Sequence, residues 1–330
     1  MVCLSGYGWE TDPSASRESH PPGKMVNIGR SIFTSEEIVL PKICLGLDGF
    51  VTENRRMQYS RDSILKFAQY QGFQGIEIHP DFEIYARGTE DLMKRHYSKF
   101  EQSIPGLQTV QITSTYSPIS DDKDVRKQYV GAMCDAIEFA SKLGAKHSTI
   151  TPPSFIPGWS HAQYDQSVAT FIETVSDVVS FAEKSGVIMA VEPEPDLVLN
   201  GGTYRDSIED VKQLLDSISS KNLQVLYDVA HAHIISGGDP IGFAKQLKGR
   251  ISWVHVADND LTFTPQGTSK HLEFGQGNVP MKELIHTLKD ECGSSLEWLQ
   301  IDTWENPNPY HTAAKNKRGL ENILKEIRWA

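Results

Sequence analysis

Short apolar runs and longer amphipathic stretches alternate along the chain from residue 43 onward. Each run has five or six residues, the length of a strand buried in a sheet, and a segment with helical periodicity follows most of them. The runs are ICLGLD (43–48), GIEIH (75–79), TVQIT (109–113), HSTIT (147–151), VIMAVE (187–192), QVLYD (224–228), SWVHV (252–256) and EWLQID (297–302). The pattern predicts eight strands that alternate with helices.

Two of the intervening stretches show the helical pattern clearly, because their apolar residues recur with a period of about 3.6 and share one face. In the first stretch these residues are Val125, Tyr129, Met133, Ile137, Ala140 and Leu143. In the second they are Val168, Ile172, Val175, Val179 and Ala182. Asp121 or Asp122 is the predicted N-cap of the first helix, and Gly144 and Gly186 are predicted to end the two helices.

The alternation favours a closed (β/α)₈ TIM barrel, an α/β fold. A doubly wound open sheet would alternate in the same way, but no predicted strand leads into a G-x-G-x-x-G turn. Polar residues recur at the C-terminal ends of the strands, and these ends converge on one site in a barrel. We therefore predict a single barrel domain over residues 41–330, preceded by an N-terminal extension over residues 1–40 that is rich in Gly, Ser, Pro and charge.

Four polar residues lie at or near the ends of the last four strands: Glu192, Asp228, His255 and Asp302. In a barrel they would point into one mouth, where like charges repel strongly unless a cation lies among them. Three carboxylates with one imidazole suit Mn²⁺, Mg²⁺ or Co²⁺ better than an ion that prefers thiolates. Each residue alone could be a helix cap or a core histidine, but four on successive strands favour a metal site.

The fifth run ends in the sequence VEPEPD, which places two carboxylates between prolines. Glu194 has the same alternation parity as Glu192, but the strand is ending and Pro193 and Pro195 bend the chain. We therefore expect Glu192 to point to the metal and Glu194 to lie either just behind the metal ligands or in the neighbouring loop.

Composition limits the partners of the protein. The 330 residues carry a net charge of −11, and no Lys/Arg cluster stands out, so nucleic acid is not an expected partner. No stretch approaches the roughly 20 apolar residues of a membrane helix. The first residues show no basic region followed by an apolar one, so we expect no export signal, and the four cysteines form no C-x-x-C motif. These features predict a cytoplasmic protein with reduced thiols.

The motifs resemble those of the xylose isomerase-like barrels, which include sugar and sugar-phosphate isomerases, epimerases, inosose dehydratases and endonuclease IV relatives. The resemblance spans about residues 43–327. It is carried by VEPEP at strand five, DVAHAH at strand six, VHVADND at strand seven and HLEFGQGNV at 271–279, with GFQGIEI (72–78) and SKLGAKHSTI (141–150) in the first half. It implies a small carbohydrate substrate and a homodimer or homotetramer.

The resemblance also implies roles for individual residues. Metal ligands would be Glu192, Asp228, His255 and Asp302, the last standing where most relatives have glutamate. His231, the second member of D-x-x-H, and His271 would contact the substrate, and His231 would also help to ionise it. Trp159 and Trp304 follow strands four and eight, and either could wall the apolar face of a sugar.

The implied activity is that of a metal-dependent isomerase or epimerase that transfers a proton next to a carbonyl through an enediolate, with Glu192 and Asp302 as the acid and base. One alternative on the same scaffold is a lyase, either an inosose-type dehydratase or a subunit that cleaves C-glycosides. Another is a non-catalytic sugar-binding barrel.

Two further features bear on these alternatives. The endonuclease IV branch would need histidines at the ends of strands three and four, and the segments QITSTYSP and STITPP contain none. The stretch 275–277, Gly-Gln-Gly, could present backbone N–H groups to an anion. Because no cationic cluster marks a phosphate site, a free sugar and a sugar phosphate both stay open.

Overall fold

Eight parallel strands close into a barrel in the part of the chain that the structure describes. The structure is a computed structural model that describes residues 41–50, 59–78, 107–113, 122–153, 158–195, 204–265, 267–292 and 295–329. The strands are β1 Lys42–Gly46, β2 Gly75–Ile78, β3 Gln108–Thr113, β4 His147–Ile150, β5 Ile188–Val191, β6 Leu223–Asp228, β7 Ile251–Val256 and β8 Trp298–Ile301. Sequential strands pair with one another and β8 pairs with β1, so the predicted TIM barrel is confirmed.

Within the described residues, helices follow seven of the eight strands, all but β2. They are α1 Arg61–Tyr70, α2 Lys123–Leu143, α3 His161–Ser185, α4 Tyr204–Ile218, α5 Val229–Ile235, α6 Pro240–Gln246, α7 Met281–Cys292 and α8 Pro309–Glu326. A 3₁₀ turn, Asp48–Phe50, follows β1. Of the helices in the described ranges, none is both long and apolar enough to cross a bilayer. The predicted extension (1–40), the strand end at His79 and the segment 114–121 lie outside the described residues.

Local sequence sets the ends of the long helices as predicted. The Asp122 side chain caps α2 by accepting hydrogen bonds from the backbone N–H groups of Asp124 and Val125. Gly144 and Gly186 end α2 and α3 in the left-handed conformation, with φ of 74° and 70°. Glycine adopts this conformation without the steric penalty of a side chain.

The barrel interior contains a small apolar cluster that is separate from the larger core between strands and helices. Its members are Cys44, Ala190, Leu226, Trp253 and Trp298, all buried. Each alternates with a residue of the larger core on the same strand, which places it toward the barrel axis. This cluster fills the stem of the barrel, so polar side chains of the next layer lie toward the C-terminal mouth.

Strand register brings chemistry-bearing residues to one level. Asp228 at the end of β6 is the partner of His255 in β7, and His255 is in turn the partner of Gln300 in β8. The register shifts by one residue between Ile76 and Glu77 on β2, and again between Val225 and Leu226 on β6. Such shifts bend a strand locally and change where the residues beyond them point.

Candidate functional site

The four residues predicted to gather at the mouth do come together there. Nδ1 of His255 lies 3.4 Å from Oε1 of Glu192, 3.6 Å from Oδ2 of Asp228 and 3.3 Å from Oδ2 of Asp302. Glu192 and Asp302 follow the last residues of β5 and β8 directly. The N–H of Glu192 donates to the carbonyl of Ile150 at 2.9 Å, which holds it in place beyond the strand end.

This group is almost entirely shielded from solvent, with exposed fractions of 6% for Glu192, 2% for Asp228, and 3% each for His255 and Asp302. Neither ring nitrogen of His255 makes a hydrogen bond within the described residues. A buried polar atom without a partner is costly. Ligand atoms of Glu192, Asp228 and His255 all lie within 4.8 Å of one another, so this donor set could hold a metal ion.

The electrostatics of the group favour charged side chains. Burial by itself lowers the pKa of His255, but Glu77, Glu192 and the two aspartates outweigh it and hold that pKa well above its usual value. For Asp228, burial raises the pKa, but His231, His271 and His255 outweigh it, so its pKa lies well below the usual range. The carboxylate of Asp228 is thus ionised at neutral pH and available to a cation.

Asp302 experiences the same balance. Burial raises its pKa, and the neighbouring His271 and His255 outweigh burial and lower it. Its Oδ1 atom accepts a hydrogen bond from the backbone N–H of Trp304 at 2.8 Å, while its Oδ2 atom faces the two histidines. Both oxygens of this shorter carboxylate therefore have defined neighbours.

Two more histidines border the group. The backbone N–H of His231 donates to Oδ1 of Asp228 at 2.7 Å, because Asp228 is the N-cap of α5. The ring Nδ1 of His231 lies 3.2 Å from the carbonyl oxygen of Pro193, 3.8 Å from Oε1 of Glu192 and 3.7 Å from Oε2 of Glu194. Glu194 thus lies beside the mouth, next to His231.

His271 comes from the loop after β7. Its Nε2 atom lies 3.3 Å from Oδ2 of Asp228 and 3.5 Å from Oδ2 of Asp302. The rings of His231 and His271 are 5.7 Å apart at their centres and meet edge to face. The two imidazoles therefore lie over the carboxylates, that of His231 from α5 and that of His271 from the loop after β7.

The two tryptophans lie in different surroundings. Trp304, in the loop after β8, is half-buried and is tied to Asp302 through its backbone. Trp159 packs against the cluster of Tyr164 and Val168 on the first turns of α3. Trp304 is thus placed next to the carboxylate group, whereas the contacts described for Trp159 are with α3.

Asp258 organises the loop that carries His271. Its carboxylate accepts hydrogen bonds from four backbone N–H groups, at 2.8–3.2 Å, which belong to Asn259, Gly275, Gly277 and Val279. The N–H groups of Gly275 and Gly277 therefore bind a carboxylate of the chain itself. The expectation that they face an outside anion is wrong, because a local carboxylate already satisfies them.

The sequence interpretation missed three contributors to the site. Glu77, in the middle of β2, is fully buried, and its Oε1 atom lies 3.8 Å from Nε2 of His255. Asn306 and Asn316 hold the loop by donating side-chain N–H groups to the carbonyls of His271, at 2.9 Å, and Leu272, at 3.2 Å. The sequence held a signal for Glu77 only, because a charged residue within an apolar strand indicates a functional or buried polar contact.

The chain matches a known family of barrel proteins. The model of one protein family, described as "Xylose isomerase-like TIM barrel", matches residues 65–320. An uncharacterized protein of Methanocaldococcus jannaschii is 28% identical over 255 residues, which cover 74% of this chain and 80% of that protein.

Several solved structures share the fold. One, described as a D-tagatose 3-epimerase-like protein, has 22% identity and a TM-score of 0.67, over 87% of this chain and 98% of its own. The IOLI protein with a zinc atom has 17% identity and a TM-score of 0.62, over 87% and 97%. A probable 3-DHS dehydratase, AsbF, of Bacillus anthracis has 18% identity and a TM-score of 0.61, over 85% and 99%. At these identities the likeness shows the fold alone.

Proposed function

The chain belongs to the xylose isomerase-like TIM barrel family, and we propose that it is a divalent-metal-dependent isomerase or epimerase of a small sugar or sugar phosphate. One observation carries this proposal: three buried carboxylates converge on Nδ1 of His255 at the mouth where the catalytic sites of TIM barrels lie. We further propose that the protein works in the cytoplasm as a homodimer or homotetramer.

Glu192, Asp228, His255 and Asp302 are the proposed ligands. Their oxygen-rich set with one imidazole suits Mn²⁺, Mg²⁺ or Co²⁺. The similar IOLI protein is described with a bound zinc atom, which supports a divalent ion for this protein. When bound, such an ion would supply positive charge that acidifies the C–H next to the carbonyl of a ketose.

Glu192 is the proposed base that removes this proton. Its carboxylate lies at the barrel mouth, and its Oε1 atom faces both His255 and His231. In the epimerase reaction, Asp302 on the opposite strand end returns the proton to the other face. His231 and His271 bind substrate hydroxyl groups, and Trp304, with Trp159, walls the apolar face of the sugar.

A lyase on the same scaffold is the second candidate, and the surroundings of Asp302 favour it. Oδ1 of Asp302 holds the N–H of Trp304 and Oδ2 faces His255 and His271, so proton return by this residue competes with those contacts. A dehydratase or C-glycoside lyase needs only one carbon base, for which Glu192 serves, and an acid for the leaving group, for which His271 or His231 serves.

The decisive experiment is hydrogen exchange in D₂O with the metal-loaded protein and a panel of ketoses and their phosphates. Deuterium on the carbon next to the carbonyl, with an intact skeleton, supports the isomerase or epimerase. Loss of water or of an aglycone supports the lyase. If the purified protein binds sugar but contains no stoichiometric divalent ion and catalyses no exchange, both the isomerase and the lyase proposals are wrong. The non-catalytic sugar-binding barrel would then be the remaining candidate.

A further inference from the structure

Inside the barrel, next to the proposed ligands, lies a further buried carboxylate that the proposed mechanism does not use. Glu77 on β2 has no exposed surface, and neither has Gln300 on β8. Nε2 of Gln300 donates a hydrogen bond to Oε2 of Glu77. The other oxygen of Glu77, Oε1, faces Nε2 of His255 across 3.8 Å. The three side chains thus form a connected polar path from the stem to the mouth.

The orientation of the Gln300 amide follows from its other neighbour. The indole Nε1–H of Trp253 donates to Oε1 of Gln300 at 3.2 Å. An indole nitrogen can only donate, so the amide oxygen must face Trp253 and the amide NH₂ must face Glu77. The Sγ atom of Cys44, 3.8 Å from the same oxygen, agrees with this assignment. Glu77 therefore receives a donor on one side and presents a negatively charged acceptor to His255 on the other.

The two nitrogens of His255 have opposite surroundings. Nδ1 faces three carboxylate oxygens at 3.3–3.6 Å, and Nε2 faces Glu77. A cation held by this group needs the lone pair of Nδ1, so the one proton of the neutral ring must then be on Nε2. The separation of 3.8 Å is longer than a hydrogen bond, and Glu77 acts on the N–H through its charge.

We propose that Glu77 is a positioning residue that keeps the proton of His255 on Nε2 and so directs Nδ1 to the metal. This inference rests on the metal dependence in the proposed function. It assigns a role to a residue on the far side of the barrel from β7, and carboxylates that orient metal-binding imidazoles in this way raise metal affinity.

An isosteric change at position 77 makes the inference testable. In Glu77→Gln the introduced amide must turn its oxygen toward the NH₂ of Gln300, because Trp253 prevents the Gln300 amide from flipping. The introduced NH₂ then turns its partial positive charge toward Nε2 of His255 and disfavours a proton on that nitrogen. The proton of the ring moves to Nδ1, where it competes with the metal.

The exchanged pair Glu77→Gln, Gln300→Glu provides a rescue. The carboxylate now at position 300 accepts from Trp253 and from the amide at position 77. That amide can turn its oxygen to His255, so the Nε2–H is restored with unchanged composition and total charge. A merely structural role of Glu77 would not produce this pattern of loss and rescue.

The test is titration of the metal-free wild type, Glu77→Gln and the exchanged pair with Mn²⁺ and Co²⁺ by calorimetry. We expect Glu77→Gln to bind about 10–100-fold more weakly, with an unchanged circular dichroism spectrum, and the exchanged pair to recover most of the loss. Glu297→Gln, at the opposite end of the barrel beside Lys42 and Lys146, is the control and should bind like the wild type.

If Glu77→Gln binds the metal as tightly as the wild type, the role of Glu77 is wrong but the proposed function stands. A loss of metal affinity that the exchanged pair does not restore would have the same consequence. A wild type that binds no metal would instead overturn the proposed function, and this inference with it. If the variants do not fold, the wild type loaded with zinc decides by ¹⁵N NMR of its histidines. A proton on Nε2 of His255 supports the inference, and a proton on Nδ1 contradicts it.

Discussion

His271 and Asp228 are 43 positions apart in the chain, yet Nε2 of His271 lies 3.3 Å from Oδ2 of Asp228. The contact joins the loop after β7 to the end of β6. The loop reaches this position because Asp258 holds its two ends close to each other. The backbone of Asp258 pairs with that of Leu272, and the Asp258 carboxylate accepts hydrogen bonds from the N–H groups of Gly275 and Gly277. The site is therefore built from strand ends that the barrel positions and from one loop that a buried carboxylate positions.

Asp228→Asn should weaken divalent metal binding at least about tenfold while the protein stays folded. The asparagine oxygen can still accept the N–H of His231, so the cap of α5 survives and only the charge and one metal-binding oxygen are lost. Calorimetric titration measures the affinity. Asp239→Asn is a matched control, because Asp239 caps the next helix, α6, through Gly242 in the same way. Unchanged metal affinity in Asp228→Asn would show that Asp228 is not a ligand.

Glu192→Gln should abolish deuterium exchange into the ketose with little change in the melting temperature. The substitution keeps the size of the side chain and removes the base and a ligand charge at the mouth, from a residue that belongs to neither apolar cluster. Exchange by NMR and unfolding by circular dichroism are the two measurements. Wild-type turnover in this variant would remove Glu192 from the mechanism.

Asp258→Asn should destabilise the loop that carries His271. The introduced NH₂ group cannot accept hydrogen bonds, so at least one buried N–H among those of Asn259, Gly275, Gly277 and Val279 loses its partner. An unsatisfied buried group costs about 1–3 kcal/mol. Denaturant unfolding measures the loss, and a stability equal to that of the wild type would refute the role of Asp258 in the loop.

Gly49→Ala and Gly131→Ala should have opposite effects on stability. A Cβ atom at Gly49 would overlap Oγ1 of Thr303 and lie 2.7 Å from the carbonyl carbon of that residue, next to Asp302. Relief of this clash would cost about 1–3 kcal/mol and would move the Asp302 loop. At Gly131, inside α2, a Cβ atom meets nothing within 4 Å, so alanine should stabilise the helix by about 0.5–1 kcal/mol. A Gly49→Ala protein as stable as Gly131→Ala would contradict the close approach.

His147 should make stability fall in acid. Burial lowers the pKa of this imidazole to about 4, and Lys146 adds to the effect. In the unfolded chain its pKa is about 6.5, so between these values the unfolded state binds a proton that the folded state does not. Stability is therefore lost as the pH falls from about 6.5 toward 4, by about 3 kcal/mol in total from this residue.

Chemical denaturation of His147→Leu at several pH values tests this expectation. The variant should lose less stability than the wild type over the same range. His286→Gln is the control, because His286 is exposed on α7 and lies beside Asp290. Parallel stability curves for the wild type and His147→Leu would show that His147 does not bear the acid sensitivity.

Local sequence was sufficient for the strand order, the ends of the long helices and the barrel itself. Apolar runs between amphipathic stretches allow few other arrangements, and Asp122, Gly144 and Gly186 set helix ends through contacts within a turn. Closure of the barrel then brings the ends of β5 to β8 together. For that reason the convergence of Glu192, Asp228, His255 and Asp302 could be predicted without knowing any distance.

Tertiary structure alone decided which side chains contact the polar residues inside the strands and in the loops after them. Glu77 meets His255 and Gln300 only because the barrel closes and the register shifts beside it on β2. Asp258 satisfies the Gly275 and Gly277 N–H groups because the loop folds back on itself. Such contacts depend on register and on competition among nearby donors, and both are set by long-range packing rather than by the periodicity of any one segment.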